Sequence, residues 1–147
     1  MRIAPRRRGK RAAAPARSQD EARQAVLTIR VDFGDSGNLG PGKVALMELI
    51  SKHGSISAAG KEMRMSYRRA WLLVDEINQI FRKPLVEKQM GGSGGGGARL
   101  TEFGRDVVSR YRAIEVAAAT ATATDVKALK SSLARVRTHD RKSRPEA

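Results

Sequence analysis

The sequence contains no cysteine, only two histidines, and one tryptophan, two tyrosines and three phenylalanines among its 147 residues. Without cysteine the chain forms no disulfide, no zinc–thiolate or iron–sulfur site, and has no cysteine nucleophile. The two histidines, His53 and His139, leave little for a metal centre, and the carboxylates of Glu48, Asp75 and Glu76 show no pairing typical of acid–base catalysis. We therefore expect a protein that is not an enzyme and that has no metal or other cofactor.

Long hydrophobic runs are also absent, since no apolar stretch approaches the roughly 18–20 residues that span a bilayer. The arginine-rich N-terminus is followed by no apolar segment of a secretory signal. Pro5, Gly9 and Pro15 interrupt the helix that an organelle transit peptide needs. We expect a cytoplasmic protein, associated with the bacterial nucleoid, that does not bind membranes.

Positive charge is plentiful: 29 basic against 15 acidic residues give a formal net charge of +14, which favours an anionic partner such as nucleic acid. Residues 1–23 contain 8 basic and 2 acidic groups, and residues 127–147 contain 7 and 2. The alternative for such ends is a solvated flank without a partner. Within 24–126 the net charge is only +3, and it matches one short stretch that contains Lys61, Arg64, Arg68 and Arg69 against Glu62.

The hydrophobic pattern predicts one short strand followed by three helices. Leu27, Ile29, Val31 and Phe33 alternate with polar residues, which indicates a half-buried strand. A helix is predicted from Pro41 to a C-cap at Gly54, and a short one over 58–63 with Ser57 as its N-cap. A third, amphipathic helix is predicted from Tyr67, after an N-cap at Ser66, to about Arg82.

The short helix, the tight turn and the longer helix with a basic first turn are typical of a helix-turn-helix DNA-binding unit. Such a unit places the first turn of its second helix in the major groove, where arginine binds guanine O6 and N7 through two hydrogen bonds. A solvated helix surface is the alternative for these arginines, and core packing is the interpretation for Trp71. The candidate DNA-binding residues here are Lys61, Arg64, Ser66, Tyr67, Arg68 and Arg69.

Residues 91–97 hold six glycines in seven positions between two predicted strands, over 85–90 and around Arg99, and indicate a β-hairpin. After a helix-turn-helix, a hairpin is the wing of a winged helix, and a tip without side chains lets its backbone approach the sugar–phosphate wall. The run also matches a G-x-G-x-x-G dinucleotide pattern, but no βαβ unit surrounds it, and an inert linker is a further alternative. The candidate wing contacts are Lys88, Gly92, Ser93, Gly94, Gly95 and Arg99.

A last helix is predicted after an N-cap at Thr101, with Phe103, Val107, Tyr111 and Ile114 as its apolar positions. The alanine–threonine stretch 117–124 leaves open whether this helix continues or a second one begins at Thr124 and Asp125. The stripe of Val107, Tyr111 and Ile114, together with later apolar positions, is more than one small winged helix buries, so a homodimer is expected. These later positions are Leu129, Leu133 and Val136.

The predicted fold is mainly α with a small β component, a winged helix-turn-helix with a C-terminal dimerisation helix. The predicted organisation is a disordered basic tail over 1–23, a DNA-binding domain over 24–116, a helical extension over 117–137 and a disordered tail over 138–147. The two tails lack the large apolar side chains that offset the entropy of ordering a chain.

These motifs together resemble the DNA-binding domain of ModE-type molybdate-responsive transcriptional regulators, winged-helix proteins with LysR-like DNA-binding domains. The resemblance covers about residues 25–116 and implies that the helix from Ser66 is the recognition helix, that residues 91–99 form the wing, and that a dimer reads a palindromic operator. The segments that carry it are 55–57, 66–71, 76–78, 85–87, 91–98, 100–101 and Gly104.

Members of that family continue into modules that hold molybdate. Only about 30 residues follow Glu115 here, and none of them resembles the family's Ser-Ala-Arg-Asn ligand stretch. The sequence therefore makes direct molybdate binding doubtful and suggests a stand-alone form of the DNA-binding half.

Taken as a whole, the sequence favours a sequence-specific transcriptional regulator that binds double-stranded DNA as a homodimer, with a role in molybdenum-related gene control implied by the resemblance. Two other classes stay open. The basic tails also suit a non-specific architectural or nucleoid protein, although such a protein needs no recognition helix. The N–H groups of the glycine loop could also form an anion-binding nest in a small oxyanion carrier.

Overall fold

Four helices and two two-stranded antiparallel sheets make up the computed structural model, which describes residues 24–89 and 97–134. The predicted class, mainly α with a small β component, is confirmed. None of the helices in these two ranges is long and apolar enough to cross a membrane. In chain order the elements are β1 (Val31–Asp32), a 3₁₀ turn (Gly34–Ser36), β2 (Asn38–Leu39), α1 (Pro41–His53), α2 (Ile56–Glu62), α3 (Tyr67–Ile80), β3 (Val86–Gln89), β4 (Gly97–Leu100) and α4 (Glu102–Ser131).

The strand predicted over 27–33 is much shorter than expected. Only Val31–Asp32 pair with another strand, antiparallel to β2. Residues 24–30 instead lie against α4, where the Tyr111 hydroxyl donates a 2.7 Å hydrogen bond to the Ile29 carbonyl. The alternation therefore reflects an extended chain beside a helix, because the described residues provide no further strand for it to pair with.

The helix caps agree with the prediction at three of four positions. Gly54 ends α1 with a positive φ of 68°, and Ser66 begins α3, its Oγ accepting a 3.1 Å hydrogen bond from the Arg69 N–H. The assignment of Ser57 as the N-cap of α2 is wrong, since Ser55 has the extended backbone and accepts from the N–H three residues later. The helix starts earlier because Ile56 is buried and belongs to the core.

One hydrophobic core joins α1, α3, the β3–β4 hairpin and the start of α4. A fully buried large aliphatic side chain contributes about 1.5–3 kcal/mol relative to an exposed one, so this core supplies most of the driving force. Trp71, expected inside, is only half-buried and packs against the core's edge. The largest fully buried side chains are Val44, Leu46, Met47, Ile50, Val74, Ile77, Leu85 and Tyr111.

The side chain of Asn78 attaches the hairpin to α3. Its Oδ1 accepts hydrogen bonds from the N–H groups of Leu85 and Val86, at 2.9 and 3.0 Å, and its Nδ2 donates to the Val86 carbonyl at 3.0 Å. On the other strand, the Ala98 N–H donates to the Gly54 carbonyl at 2.9 Å. The hairpin is therefore held at its base by both α3 and the end of α1.

Helix α4 starts in close contact with the same hairpin. Thr101 caps it as predicted, accepting a 2.9 Å hydrogen bond from the Gly104 N–H and donating to the Pro84 carbonyl at 2.8 Å. A Cβ at Gly104 would lie only 2.2 Å from the Leu85 carbonyl oxygen. The absence of a side chain at this position sets how closely α4 approaches the start of β3.

The alanine–threonine stretch does not interrupt α4, which is one helix of 30 residues. Thr124 and Asp125 begin no new helix, and the Thr122 hydroxyl instead donates back to the Ala118 carbonyl at 2.7 Å. Buried residues occur only in the first three turns of α4, up to Tyr111. The second half of the helix therefore extends beyond the core.

Arg112 fixes α4 to α1 at the point where the helix leaves the core. Its Nε and Nη2 donate to the two carboxylate oxygens of Glu48, at 2.6 and 3.1 Å, and its Nη1 donates to Glu115 at 2.6 Å. These hydrogen bonds, to Glu48 first, raise the pKa of the Arg112 guanidinium above its ordinary value. This bidentate contact sets the direction of α4 more firmly than a single ion pair does.

Candidate nucleic-acid interface

The turn between α2 and α3 brings two small residues together and holds one residue in a strained conformation. A Cβ on Gly60 would lie 2.7 Å from the Cβ of Ala70, so the two helices approach closely. Arg64 has a φ of 58°, in the left-handed region that costs a residue with a side chain roughly 1–2 kcal/mol. The Arg64 N–H donates to the Lys61 carbonyl at 3.0 Å, and the Met65 N–H to the Gly60 carbonyl at 3.0 Å. These hydrogen bonds therefore hold Arg64 in a strained conformation at an exposed turn.

All six residues predicted from the helix-turn-helix pattern are exposed in the structure. Tyr67 and Trp71 make an edge-to-face contact with ring centroids 5.7 Å apart, which orients the Tyr67 ring along α3. Within the described part of the chain, no carboxylate forms a salt bridge with Lys61, Arg64, Arg68 or Arg69. These four positive charges, close together in the chain, are therefore available to an anionic partner.

The acidic residue in this stretch, Glu62, is paired with α1. It forms a hydrogen bond with the His53 ring, and Lys52 Nζ lies 3.7 Å from its other oxygen. The hydrogen bond with His53 lowers the pKa of Glu62 below its ordinary value, so the carboxylate stays ionised. Its negative charge is thus compensated by α1 and does not reduce the charge of the arginines.

The outward face of α3 carries a mixed row of side chains. Arg68, Leu72, Asp75 and Gln79 follow one another at steps of three or four residues and are all exposed, opposite the buried side chains of the same helix. Leu72 is 46% exposed and is the large apolar member of this row. It was not among the predicted site residues, although its position four residues after Arg68 could have shown it.

The two predicted basic contacts of the hairpin both have partners within the chain. Lys88 Nζ lies 4.2 Å from the centroid of the Trp71 ring, and Arg99 Nε lies 3.4 Å from the Glu87 carboxylate. An exposed ion pair of this kind contributes only about 0–1 kcal/mol, so a phosphate can replace it. The remaining predicted contacts, Gly92, Ser93, Gly94 and Gly95, lie outside the described residues.

Lys43, which the sequence pattern did not single out, lies on the other side of α3. Its Nζ donates to the Asn38 carbonyl at 2.9 Å and lies 3.8 Å from the Glu76 carboxylate, with only 13% of the side chain exposed. A lysine so placed links β2, α1 and α3. We interpret it as a structural contact, because its ammonium group is turned inward.

Curated relatives match about 90 residues of the chain, whereas no protein-family model matches it. The molybdenum transport protein ModE of Azotobacter vinelandii is 38% identical over 92 residues, which cover 63% of this chain and 33% of that protein. The molybdenum-pterin-binding protein MopA of Rhodobacter capsulatus is 39% identical over 90 residues, 61% of this chain and 34% of MopA. The DNA-binding transcriptional dual regulator ModE of Escherichia coli K12 is 41% identical over 91 residues, which cover 60% of this chain and 33% of that protein.

The chain thus spans about a third of the length of these curated relatives. The resemblance to ModE-type transcriptional regulators that the sequence predicts is confirmed over this third.

Proposed function

We propose that the chain is a sequence-specific, DNA-binding transcriptional regulator of molybdenum-related genes, which binds a palindromic operator as a homodimer. In this proposal the first turn of α3 enters the major groove and the glycine-rich hairpin lies along the backbone. The observation that carries it is the exposed, unpaired basic cluster of Arg68 and Arg69 at the start of α3, after a helix-turn-helix turn. The names of the relatives support the molybdenum-related role.

The dimensions of α3 suit this placement. A helix with its side chains is about 10–12 Å across, and the major groove is about 12 Å wide. Asp75, the acidic residue on the outward face of α3, lies in its third turn and repels phosphates. The basic first turn therefore leads into the groove, and the acidic part stays away from the backbone.

The test of the proposal is selection of random duplex DNA by the full chain. We expect enrichment of a palindrome whose half-sites lie about 10 base pairs apart, because a two-fold dimer presents two equivalent helices one DNA turn apart. Binding that falls steeply with salt and enriches no sequence would instead support the architectural alternative, to which the net charge of +14 is also suited.

Alanine substitution of Arg68 or Arg69 tests base reading directly. Each is expected to weaken binding to the selected DNA by about 1–3 kcal/mol and to random DNA much less, if the guanidinium binds a guanine. The matched control is Arg82→Ala, which removes one exposed arginine just after α3, at the opposite end of that helix from Arg68 and Arg69. Fluorescence anisotropy titrations on both DNAs measure the effect. Equal losses on both would mean phosphate contacts and contradict base reading.

The homodimer is supported by the apolar face that α4 continues beyond the core. Ile114, Ala118, Thr122 and Leu129 follow Tyr111 on one face of the helix, which also carries Asp125, and Leu129 is 70% exposed. At the core end, this face opens into an apolar groove of about 260 Å³ between β1–β2, Phe81 and α4. The small side chains over 117–123 allow a second α4 to approach closely. Because residues 24–27 of the same chain already lie beside Thr122, a second copy of this chain would cover chiefly the exposed positions Ile114 and Leu129.

Leu129→Glu is expected to convert the dimer to a monomer, because a carboxylate would be buried against the second α4. Light scattering at micromolar concentration measures this, with a wild-type mass of twice 16.0 kDa expected. Thr124→Glu, on the opposite face of the same helix, is the matched control and should stay dimeric. A monomeric wild-type protein would refute the homodimer.

A further inference from the structure

Leu72 lies in the middle of the outward face of α3, between Arg68 in the first turn and Asp75 in the third. It is 46% exposed, while its neighbours Leu73 and Val74 are buried. Single exposed leucines are common on protein surfaces, so the exposure alone assigns no role. The position does, because this leucine is the apolar group of the face that the proposed function places in the major groove.

The major groove presents few apolar groups. Among the unmodified bases, thymine carries a C5-methyl group there, and apolar side chains contact it. The same methyl group on cytosine gives 5-methylcytosine. A leucine on a groove-facing helix surface therefore matches a pyrimidine C5-methyl group in chemistry, just as the arginine one turn earlier matches guanine.

The spacing along α3 is also compatible with such a contact. Side chains at i and i+4 have their Cβ atoms about 5–6 Å apart, and successive base pairs are about 3.4 Å apart. Leu72 thus reaches a base pair one or two steps from the one that Arg68 contacts. Since Asp75 follows on the same face in the next turn and repels phosphates, Leu72 lies at the end of the inserted part of α3.

We propose that Leu72 is a specificity-determining residue that contacts the C5-methyl group of a pyrimidine, one or two base pairs from the base bound by Arg68. The inference rests on the proposed DNA-binding function and adds a residue to it. It makes the binding preference of this chain depend on a methyl group in the groove.

Substitution at Leu72 leaves the rest of α3 intact. Alanine has the highest helix propensity, and the leucine side chain is half in solvent, so Leu72→Ala keeps the fold. Leu72→Met keeps an apolar side chain of similar size, without the branch of leucine. Val26→Ala, which shortens an exposed aliphatic side chain outside α3, is the control. Circular dichroism is the check that all three variants are folded.

The experiment measures the affinity of the full chain for its selected duplex after single methyl groups are removed from or added to the bases. Each thymine is replaced in turn by deoxyuridine, which lacks the methyl group, and each cytosine in turn by 5-methylcytosine. Loss of one buried methyl contact is expected to weaken wild-type binding about threefold to fivefold at one position of each half-site. Leu72→Ala should show no such penalty there, whereas Leu72→Met and Val26→Ala should keep it.

The outcomes separate the possibilities. If replacing thymine by deoxyuridine weakens wild-type binding but not Leu72→Ala binding, the methyl group is that of thymine. If 5-methylcytosine strengthens wild-type binding but not Leu72→Ala binding, the methyl group is that of the methylated base. An equal penalty in wild type and Leu72→Ala, or no methyl-sensitive position at all, overturns the inference while DNA recognition stands. If the wild-type chain selects no sequence, the proposed function itself fails, and the inference fails with it.

Discussion

Gly104→Ala is expected to destabilise the protein by about 3 kcal/mol or more. The added Cβ would lie 2.2 Å from the Leu85 carbonyl oxygen and 3.0 Å from the carbonyl carbon. Both atoms belong to the backbone, so no side-chain rotation relieves the overlap and the start of α4 must move away from β3. Such a shift also strains the hydrogen bonds of Thr101 to this region.

Chemical denaturation at fixed protein concentration measures this change, since the stability of the proposed dimer would depend on concentration. Gly42→Ala is the matched control, because Gly42 also lies in a helix but its Cβ would meet no atom within 4 Å. That variant is expected to be stabilised by up to about 1 kcal/mol, from helix propensity alone. A Gly104→Ala protein as stable as Gly42→Ala would mean that α4 and β3 are not in close contact.

Asn78→Ala is the second substitution with a large expected effect, a loss of about 2–4 kcal/mol of folding free energy. It leaves two buried N–H groups, of Leu85 and Val86, and the Val86 carbonyl without their hydrogen-bond partner. Because these bonds hold the hairpin to α3, binding to the selected DNA should weaken as well.

Hydrogen exchange separates this local effect from a general one. In Asn78→Ala the amides of Leu85 and Val86 should exchange faster than other core amides, because their acceptor is gone. Gln79→Ala removes the amide of the adjacent, exposed residue and should change neither stability nor exchange. If Asn78→Ala is as stable as Gln79→Ala, the side chain is not what holds the hairpin.

The features that the sequence predicted correctly depend on local rules. A serine or threonine that accepts from the N–H three residues later marks the starts of α3 and α4, and a glycine with positive φ marks the end of α1. The strand over 27–33 failed because its state depends on distant α4, which takes the place of a partner strand. The N-cap of α2 failed because two serines flank Ile56, and only the core decides between them.

In the candidate site, too, most residues set by local sequence were predicted, and those set by distant contacts were not. The six site residues between Lys61 and Arg69 were predicted because they adjoin one turn, and the structure exposes all six. Leu72 was missed although the helical spacing from Arg68 indicates it, whereas Asn78 was missed because the sequence alone does not show that its side chain meets the hairpin. The hairpin tip, the homodimer, the operator, the doubtful binding of molybdate and the cytoplasmic location stay predictions.

Because α4 is one unbroken helix, a residue inserted into it affects everything that follows. A helix of 30 residues is about 45 Å long, and each inserted residue adds about 1.5 Å and turns everything beyond it by about 100°. In the proposed dimer, a single-residue insertion past Arg112 would set the two DNA-binding units out of phase with the duplex. An insertion of about seven residues would nearly keep the phase and lengthen the spacing. In the proposed dimer, the length of α4 would therefore set the spacing of the two half-sites without any change in the residues of α3.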